Sequence, residues 1–152
     1  MKCFTGYKRL KKEDLHSALC IIKAVMPMQI AVQAKEEFRT ILSSETKLWG
    51  YFANSYLLGL SGYFVSGEQL WLSWTAVDRH CQGRGIGLAL LNWVLENVDK
   101  EKYKEIQVTT YDHSDFHRAI AFYLKSGFHI YAVVPSYLSD GSSILYMKRG
   151  VW

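Results

Sequence analysis

Apolar residues recur along the chain with two different periods, and the switches between them lay out the elements. Phe4 to Leu10 reads as a first strand. From Lys12 to Val25, the residues Leu15, Leu19, Ile22 and then Met26 keep helical spacing, and Glu13-Asp14 suit the N-terminal end of that helix. Pro27 interrupts the pattern. Ile30, Ala34, Phe38 and Leu42 then predict a second helix from about Gln29 to Leu42. The middle of the chain changes character. Lys47–Phe52, Tyr56–Val65 and Gln69–Val77 are rich in aromatic and β-branched residues and are separated by Ala53-Asn54-Ser55 and Ser66-Gly67-Glu68, the pattern of an antiparallel meander. A glycine-rich stretch, Gln82 to Gly87, opens a helix from about Ile86 to Val98, with Ile86, Leu90, Val94 and Val98 on one stripe widened by Leu91 and Leu95. Glu105–Thr110 reads as a strand. Ser114 or Asp115 is placed to cap a helix that runs to Lys125, and Gly127 suits the left-handed position that ends it. Phe128–Val134 and Ser143–Lys148 close the chain as strands.

This order predicts an α/β (α+β) fold with a mixed, mostly antiparallel sheet of about seven strands flanked by about four helices. No repeat, low-complexity tract or linker divides residues 1–152, so a single domain is expected. Composition narrows the classes without choosing among them. Only 2 of the 152 residues are proline, and 49% are hydrophobic, which excludes a disordered or linker-rich chain. Aromatics reach 14%, enough to bury much apolar area per residue.

The net charge of +4 suits a meeting with an anionic small molecule. It does not argue for nucleic acid, because the densest basic run, Lys8 to Lys12, passes at once into Glu13-Asp14. The 3 cysteines and 5 histidines show no CxxC, HxH or HExxH spacing, so neither a metal site nor a disulfide scaffold is expected. No signal-like apolar region or membrane-length apolar run is read, and a cytoplasmic, unanchored protein is expected.

The chemistry concentrates in the glycine loop. Here a strand ends, three glycines follow at alternate positions, and an amphipathic helix begins. Helix N-termini leave backbone N–H groups unpaired and carry positive dipole character, and glycines let a phosphate approach the backbone. Arg84 adds a formal charge. A tight strand-to-helix turn without ligand would use the same residues. A Walker loop fits worse, because Leu88 stands where its Lys-Ser/Thr end would follow; so does a dinucleotide fingerprint, which needs a different glycine spacing in a βαβ unit.

Gln82-Gly83-Arg84-Gly85-Ile86-Gly87 resembles the acetyl-CoA loop of the GNAT superfamily of N-acetyltransferases, [QR]-x-x-G-x-[GA]. Ala119-Ile120-Ala121-Phe122-Tyr123-Leu124-Lys125-Ser126-Gly127-Phe128 resembles the second hallmark of that family, A-x-x-F/L-Y-x-x-x-G-F. The resemblance is strong over about residues 70–130 and agrees in element order elsewhere. It implies a GNAT-like domain whose fourth strand splays from the fifth, and an enzyme that carries acetyl from acetyl-CoA to a primary amine by direct attack through a tetrahedral intermediate. The CoA pyrophosphate would lie on Gln82, Gly83, Arg84, Gly85, Ile86, Gly87 and Leu88. Its pantetheine arm would pair with Thr75, Ala76 and Val77, and a backbone N–H near Val77 would polarise the thioester carbonyl. Tyr123 matches the tyrosine that protonates the departing thiolate, although Phe122-Tyr123 also suits a core.

Two features depart from the family pattern: the Thr109–Phe116 connection is longer than usual, and the residue three before Ala119 differs. Phe116 stands where an asparagine often contacts CoA, a contact that would be absent or move to His117 or Arg118, either of which also reads as a solvated first-turn residue. No general base stands out. Glu68 lies near where some members place a carboxylate, though it also reads as a turn residue; Asp78 and Asp115 are weaker candidates. Cys81, beside the helix start, reads as a small packed thiol. Among the aromatics of the central strands a minority would line an acceptor cleft, and Tyr137 and Asp140 lie in a loop that resembles the tyrosine-containing loop of peptide N-terminal acetyltransferases. The expected partners are acetyl-CoA and an amine, with no nucleic acid or membrane, and a homodimer by analogy with the family. The alternative is a non-catalytic acyl-CoA-binding or regulatory module on the same fold.

Overall fold

The computed structural model of the protein describes residues 3–42 and 47–152. In chain order the strands among them are β1 (Gly6–Arg9), β2 (Leu48–Ala53), β3 (Tyr56–Ser66), β4 (Gln69–Leu72), β5 (Ala76–Val77), β6 (Glu105–Tyr111), β7 (His129–Val134) and β8 (Ile144–Gly150). The α-helices are α1 (Leu15–Val25), α2 (Met28–Ile41), α3 (Ile86–Glu96) and α4 (His117–Lys125). The result is the mixed, mostly antiparallel α/β architecture that the alternating patterns predict. The chain groups into two compact units, one of Met1–Phe64 and Ser73–Asn97, the other of Val65–Leu72 and Val98–Trp152.

In the first unit β1, β2, β3 and β5 pair in antiparallel fashion, with Gly6 opposite Phe52, Trp49 opposite Ser61 and Gly59 opposite Val77. The sheet is covered on both faces, and strand alternation decides which residue serves which face. Leu48, Phe52 and Leu60 share a buried cluster with Ala18 and Ile22 of α1 and with Ala34 and Phe38 of α2. Gly59, next to Leu60, points the other way, toward α3. A Cβ placed there would lie 2.9 Å from Leu90 Cδ1 and 3.3 Å from Ile86 Cγ2. Glycine is thus needed at this position for closeness rather than for its dihedral angles. Trp93 of α3 stacks on Tyr7 of β1, with ring centroids 4.5 Å apart and planes 5° from parallel.

Local chemistry sets the helix ends. Pro27 cannot continue α1, and its φ of −57° starts α2, whose Ile30 and Ala31 N–H groups donate to the Pro27 carbonyl. Before α1 a 3-10 turn (Lys12–Asp14) forms, closed by the Asp14 carboxylate accepting from the Lys11 N–H at 2.8 Å. The stripe read as far as Val98 ends earlier, because α3 stops at Glu96 with Asn97 as its C-cap.

In the second unit β4 pairs in parallel with β6, at Trp71 opposite Gln107, while β6, β8 and β7 are antiparallel neighbours. Ile106, Val108, Leu145 and Met147 are buried in it. The helix expected from Ser114 or Asp115 begins with a 3-10 turn (Ser114–Phe116) instead. Its cap is His113, whose Nδ1 accepts from the Asp115 N–H at 3.1 Å, and α4 follows without a side-chain cap at Phe116. The C-terminus of α4 follows the sequence pattern closely. Gly127 has φ +93°, and the Phe128 N–H donates to the Tyr123 carbonyl while the Gly127 N–H donates to that of Leu124.

One expected strand, Gln69–Val77, is divided. β4 ends at Leu72 and β5 begins at Ala76. Within the break the Ser73 N–H donates to the Gly62 carbonyl at 2.8 Å. The Thr75 hydroxyl donates to the Ser73 carbonyl at 3.0 Å, so its 2.8 Å contact with the fully buried Ser61 is donated by Ser61.

Two substitutions test this packing. Gly59→Ala should lower stability by about 1–3 kcal/mol, because its Cβ enters a filled space. Phe38→Ala, which empties a fully buried site, should lower it by about 3–5 kcal/mol. Denaturant titration of the purified variants reads both.

Candidate active site

The first unit brings together the end of β5 and the start of α3. The ladder between β3 and β5 fixes the direction of each backbone group. Asp78 donates its N–H to the Leu58 carbonyl at 2.7 Å, and Ala76 faces Leu60 two residues earlier. Hydrogen-bonded and non-bonded pairs alternate in an antiparallel ladder, so the Val77–Gly59 pair between them is non-bonded. Both the N–H and the carbonyl of Val77 therefore point away from β3. The carbonyl accepts from the Gln82 side-chain amide at 3.1 Å. Gln82, the first defined residue of the loop motif, thus ties the loop to the strand end.

The loop between them is bent by side chains as well as glycines. Asp78 caps a 3-10 turn (Arg79–Cys81) by accepting from the His80 N–H at 2.9 Å, and the Cys81 N–H donates to the Asp78 carbonyl. Arg79 donates to the carbonyl of Ala24 near the end of α1, which anchors the turn to that helix. Asp78 is therefore a structural cap, and His80 lies exposed on the loop. Cys81 is half-buried and carries a free thiol.

Gly83 and Gly85 have φ of +79° and +83°, a conformation costly for other residues, and a Cβ at either would meet nothing within 4 Å. Their exposed faces are bare, in contrast to Gly59. Gly85 is also the N-cap of α3 and supplies no side-chain acceptor. The first-turn amides of Ile86, Gly87 and Leu88 thus lack the usual side-chain cap, at the positive end of the helix dipole. Arg84 is exposed between the two left-handed glycines. A bare, exposed surface with uncapped amides fits a phosphate group, as in the pyrophosphate that the family resemblance implies.

Thr75, Ala76 and Val77 differ in their surroundings. Ala76 is buried against the α1–α2 cluster, whereas Thr75 and Val77 are partly exposed. Trp74, just before them, packs edge-on against Phe38 at 5.6 Å and donates its indole N–H to the Glu37 carboxylate at 2.6 Å. The sequence reading passed over Glu37. Its only signal was a charged residue beside the buried Phe38, and that marks many helix flanks.

The second unit carries the other expected residues. Tyr123 lies in the last turns of α4, buried, with its ring against Phe122 and Phe128 at 5.5 and 5.4 Å. Its carbonyl is held by the helix-ending motif, which fixes the backbone that carries the phenol. His117 is exposed in the first turn of α4, and Phe116 packs against Tyr111 at 5.2 Å. Glu68 is exposed in the β3–β4 turn, following Gly67 at φ +63°. Tyr137 lies against Tyr111, and Asp140 approaches His113 at 3.4 Å. The Ser142 N–H, more than the His113 ring, holds the Asp140 carboxyl below its usual pKa. The Asp115 carboxylate lies 3.5 Å from His113 Nδ1.

Among the described residues no helix is long and apolar enough to cross a membrane, and no group of three or more His, Cys, Asp or Glu is placed to hold a metal ion.

Comparison with known proteins gives these features a common frame. No curated protein matches the chain in direct sequence comparison. Its fold is shared with a GNAT-family protein from Desulfovibrio desulfuricans, at TM-score 0.87 and 19% identity over 98% of this chain and 100% of that one. The ribosomal-protein-S18-alanine N-acetyltransferase from Escherichia coli superposes with TM-score 0.77 at 20% identity, covering 97% of this chain and 94% of that one. An aminoglycoside 6'-N-acetyltransferase complexed with coenzyme A has TM-score 0.77 at 15% identity, over 96% and 97% of the two chains. The family model described as the acetyltransferase (GNAT) domain matches residues 12–150, which include both the glycine loop and Tyr123, and the chain belongs to that family.

Proposed function

We propose that this protein is an N-acetyltransferase that moves the acetyl group of acetyl-CoA to a primary amine of a small molecule or a protein. The observation that carries the reading is the bare amide surface of Gly83–Leu88 tied by Gln82 to a strand end whose Val77 N–H points away from its own sheet partner. Membership of the GNAT family supports it, as do neighbours of the same fold named for N-acetylation of a protein alanine and of an aminoglycoside.

Acetyl-CoA supplies the activated thioester. The backbone of Gly83, Arg84, Gly85, Ile86, Gly87 and Leu88 binds its pyrophosphate, with the Arg84 charge adding attraction. Thr75, Ala76 and Val77 offer a strand edge to the amide-bearing arm. The Val77 N–H donates to the thioester carbonyl and strengthens that bond as charge builds on the oxygen. Tyr123 gives its proton to the departing thiolate, a transfer between groups of similar basicity. His117, exposed at the start of α4, is a further contact for the nucleotide end. Glu68, exposed in the β3–β4 turn, is a candidate for the base.

Three measurements test this. CoA at millimolar concentration should raise the melting temperature by mass action; no shift would remove the reading. Gly85→Ala should weaken CoA binding about tenfold or more, since it imposes strain and adds a Cβ to the binding surface. Tyr123→Phe should lower kcat about 10²-fold or more while CoA affinity stays within about twofold, and unchanged turnover would take the phenol out of the acid role.

A further inference from the structure

The reaction needs an amine without its proton. Asp78 is engaged as the cap of the turn before α3, and Glu68 lies exposed in the β3–β4 turn. Glu37 is held in a different setting. It lies on α2, half-buried, and its Oε2 accepts the indole N–H of Trp74 at 2.6 Å while its Oε1 lies 3.5 Å from the Gln33 side-chain amide. Trp74 is itself wedged against Phe38, which is fully buried. The carboxylate is therefore fixed from both sides by neutral groups. Among the described residues no lysine, arginine or histidine nitrogen forms an ion pair with it. A half-buried negative charge with neutral donors alone is incompletely compensated, and a cation would complete it.

Position identifies the cation. Trp74 heads the segment Thr75–Val77, and Trp74 and Ala76 both lie on the α1–α2 face, where they pack against the buried cluster. The start of α3 lies on the opposite face, where Ile86 approaches Gly59. Glu37, bonded to Trp74, thus lies on the face of this segment opposite the start of α3. This is where an acceptor must stand if the acetyl donor occupies the α3 side.

We propose that Glu37 is a catalytic residue, the carboxylate that binds the acceptor as an ammonium ion and takes its proton. The inference rests on the acetyltransfer reading above. The ammonium passes one proton to Glu37, and the freed nitrogen lone pair forms the bond to the acetyl carbon. The carbon–sulfur bond breaks, and the thiolate leaves with the proton of Tyr123. The second nitrogen proton restores the phenol, and Glu37 returns its proton to water. The Trp74 N–H holds the carboxylate in position between turnovers.

Glu37→Gln tests this directly, because its amide oxygen still accepts from Trp74 and the shape is kept. Thiol release from acetyl-CoA is measured with an alanine-starting peptide, spermidine and kanamycin as acceptors. For whichever amine the unaltered protein acetylates, E37Q should lose about 10²-fold or more in kcat/KM. Its melting temperature and its CoA-induced thermal shift should stay unchanged. Trp74→Phe, which keeps an aromatic ring but removes the N–H, should lose about three- to tenfold. Glu36→Gln, one residue away and exposed, should match the unaltered protein. An E37Q rate within twofold of the unaltered one overturns the proposal, as does a loss matched by an equal loss of CoA binding. Failure of the unaltered protein to release thiol with all three amines overturns the acetyltransfer reading, and the role of Glu37 with it.

Discussion

The site depends on an interruption in a strand. Had Gln69–Val77 run straight, one ladder would have continued past Leu72 and the backbone of Val77 would have had no reason to stand apart. Instead the chain leaves β4 at Leu72 and returns at Ala76, pairing with β3. The short ladder leaves the N–H of Val77 directed outward. An outward backbone donor next to a helix N-terminus is a place where a carbonyl can be polarised, and no side chain is required for it. The interruption is held by side chains that seem unrelated along the sequence: Ser61 to Thr75, Thr75 to the Ser73 carbonyl, and Trp74 to Glu37.

The glycines around this edge serve opposite ends. Gly59 lacks a side chain because α3 needs the space; the atoms that a Cβ would strike are those of Leu90 and Ile86, on the first turns of the helix. Gly83 and Gly85 lack one although nothing in the protein would be struck. Their positive φ explains part of the choice, and the bare surface explains the rest. Close packing at Gly59 sets where α3 begins, and the loop glycines then leave its first amides uncovered. The same residue type therefore positions the cradle from below and opens it from above.

Much of this was legible in the sequence. The loop could be read because it is local: strand end, glutamine, alternate glycines and an apolar helix follow one another, and each piece has a physical reason to be there. The ending of α4 was legible for the same cause, since Gly127-Phe128 needs only nearby carbonyls. What escaped was settled by contacts distant along the chain. The break at 73–75 is set by Ser61 and Gly62 on β3, and strand propensity alone favours an unbroken run through Trp74. The capping of the turn before α4 by His113 was missed because an imidazole nitrogen rarely serves where Ser114 or Asp115 stands ready. Glu37 was invisible because its setting comes from Trp74, which lies far from it in sequence and is one of many aromatics in the central strands.

That crowd can now be divided by what each ring holds. Trp93 and Tyr7 join α3 to β1, so their stacking supports the helix whose N-terminus forms the cradle. Phe122 and Phe128 flank Tyr123, keeping its ring in a fixed setting at the end of α4. Phe38 and Trp74 make the third group, and they differ because Trp74 carries a polar handle. A phenylalanine would keep an aromatic ring there; the indole N–H adds a bond to a carboxylate that forms no ion pair among the described residues. Packing alone does not call for that charge, since a half-buried anion is costly to keep. Its presence beside the strand segment that carries the outward Val77 N–H makes sense if a cation comes to meet it.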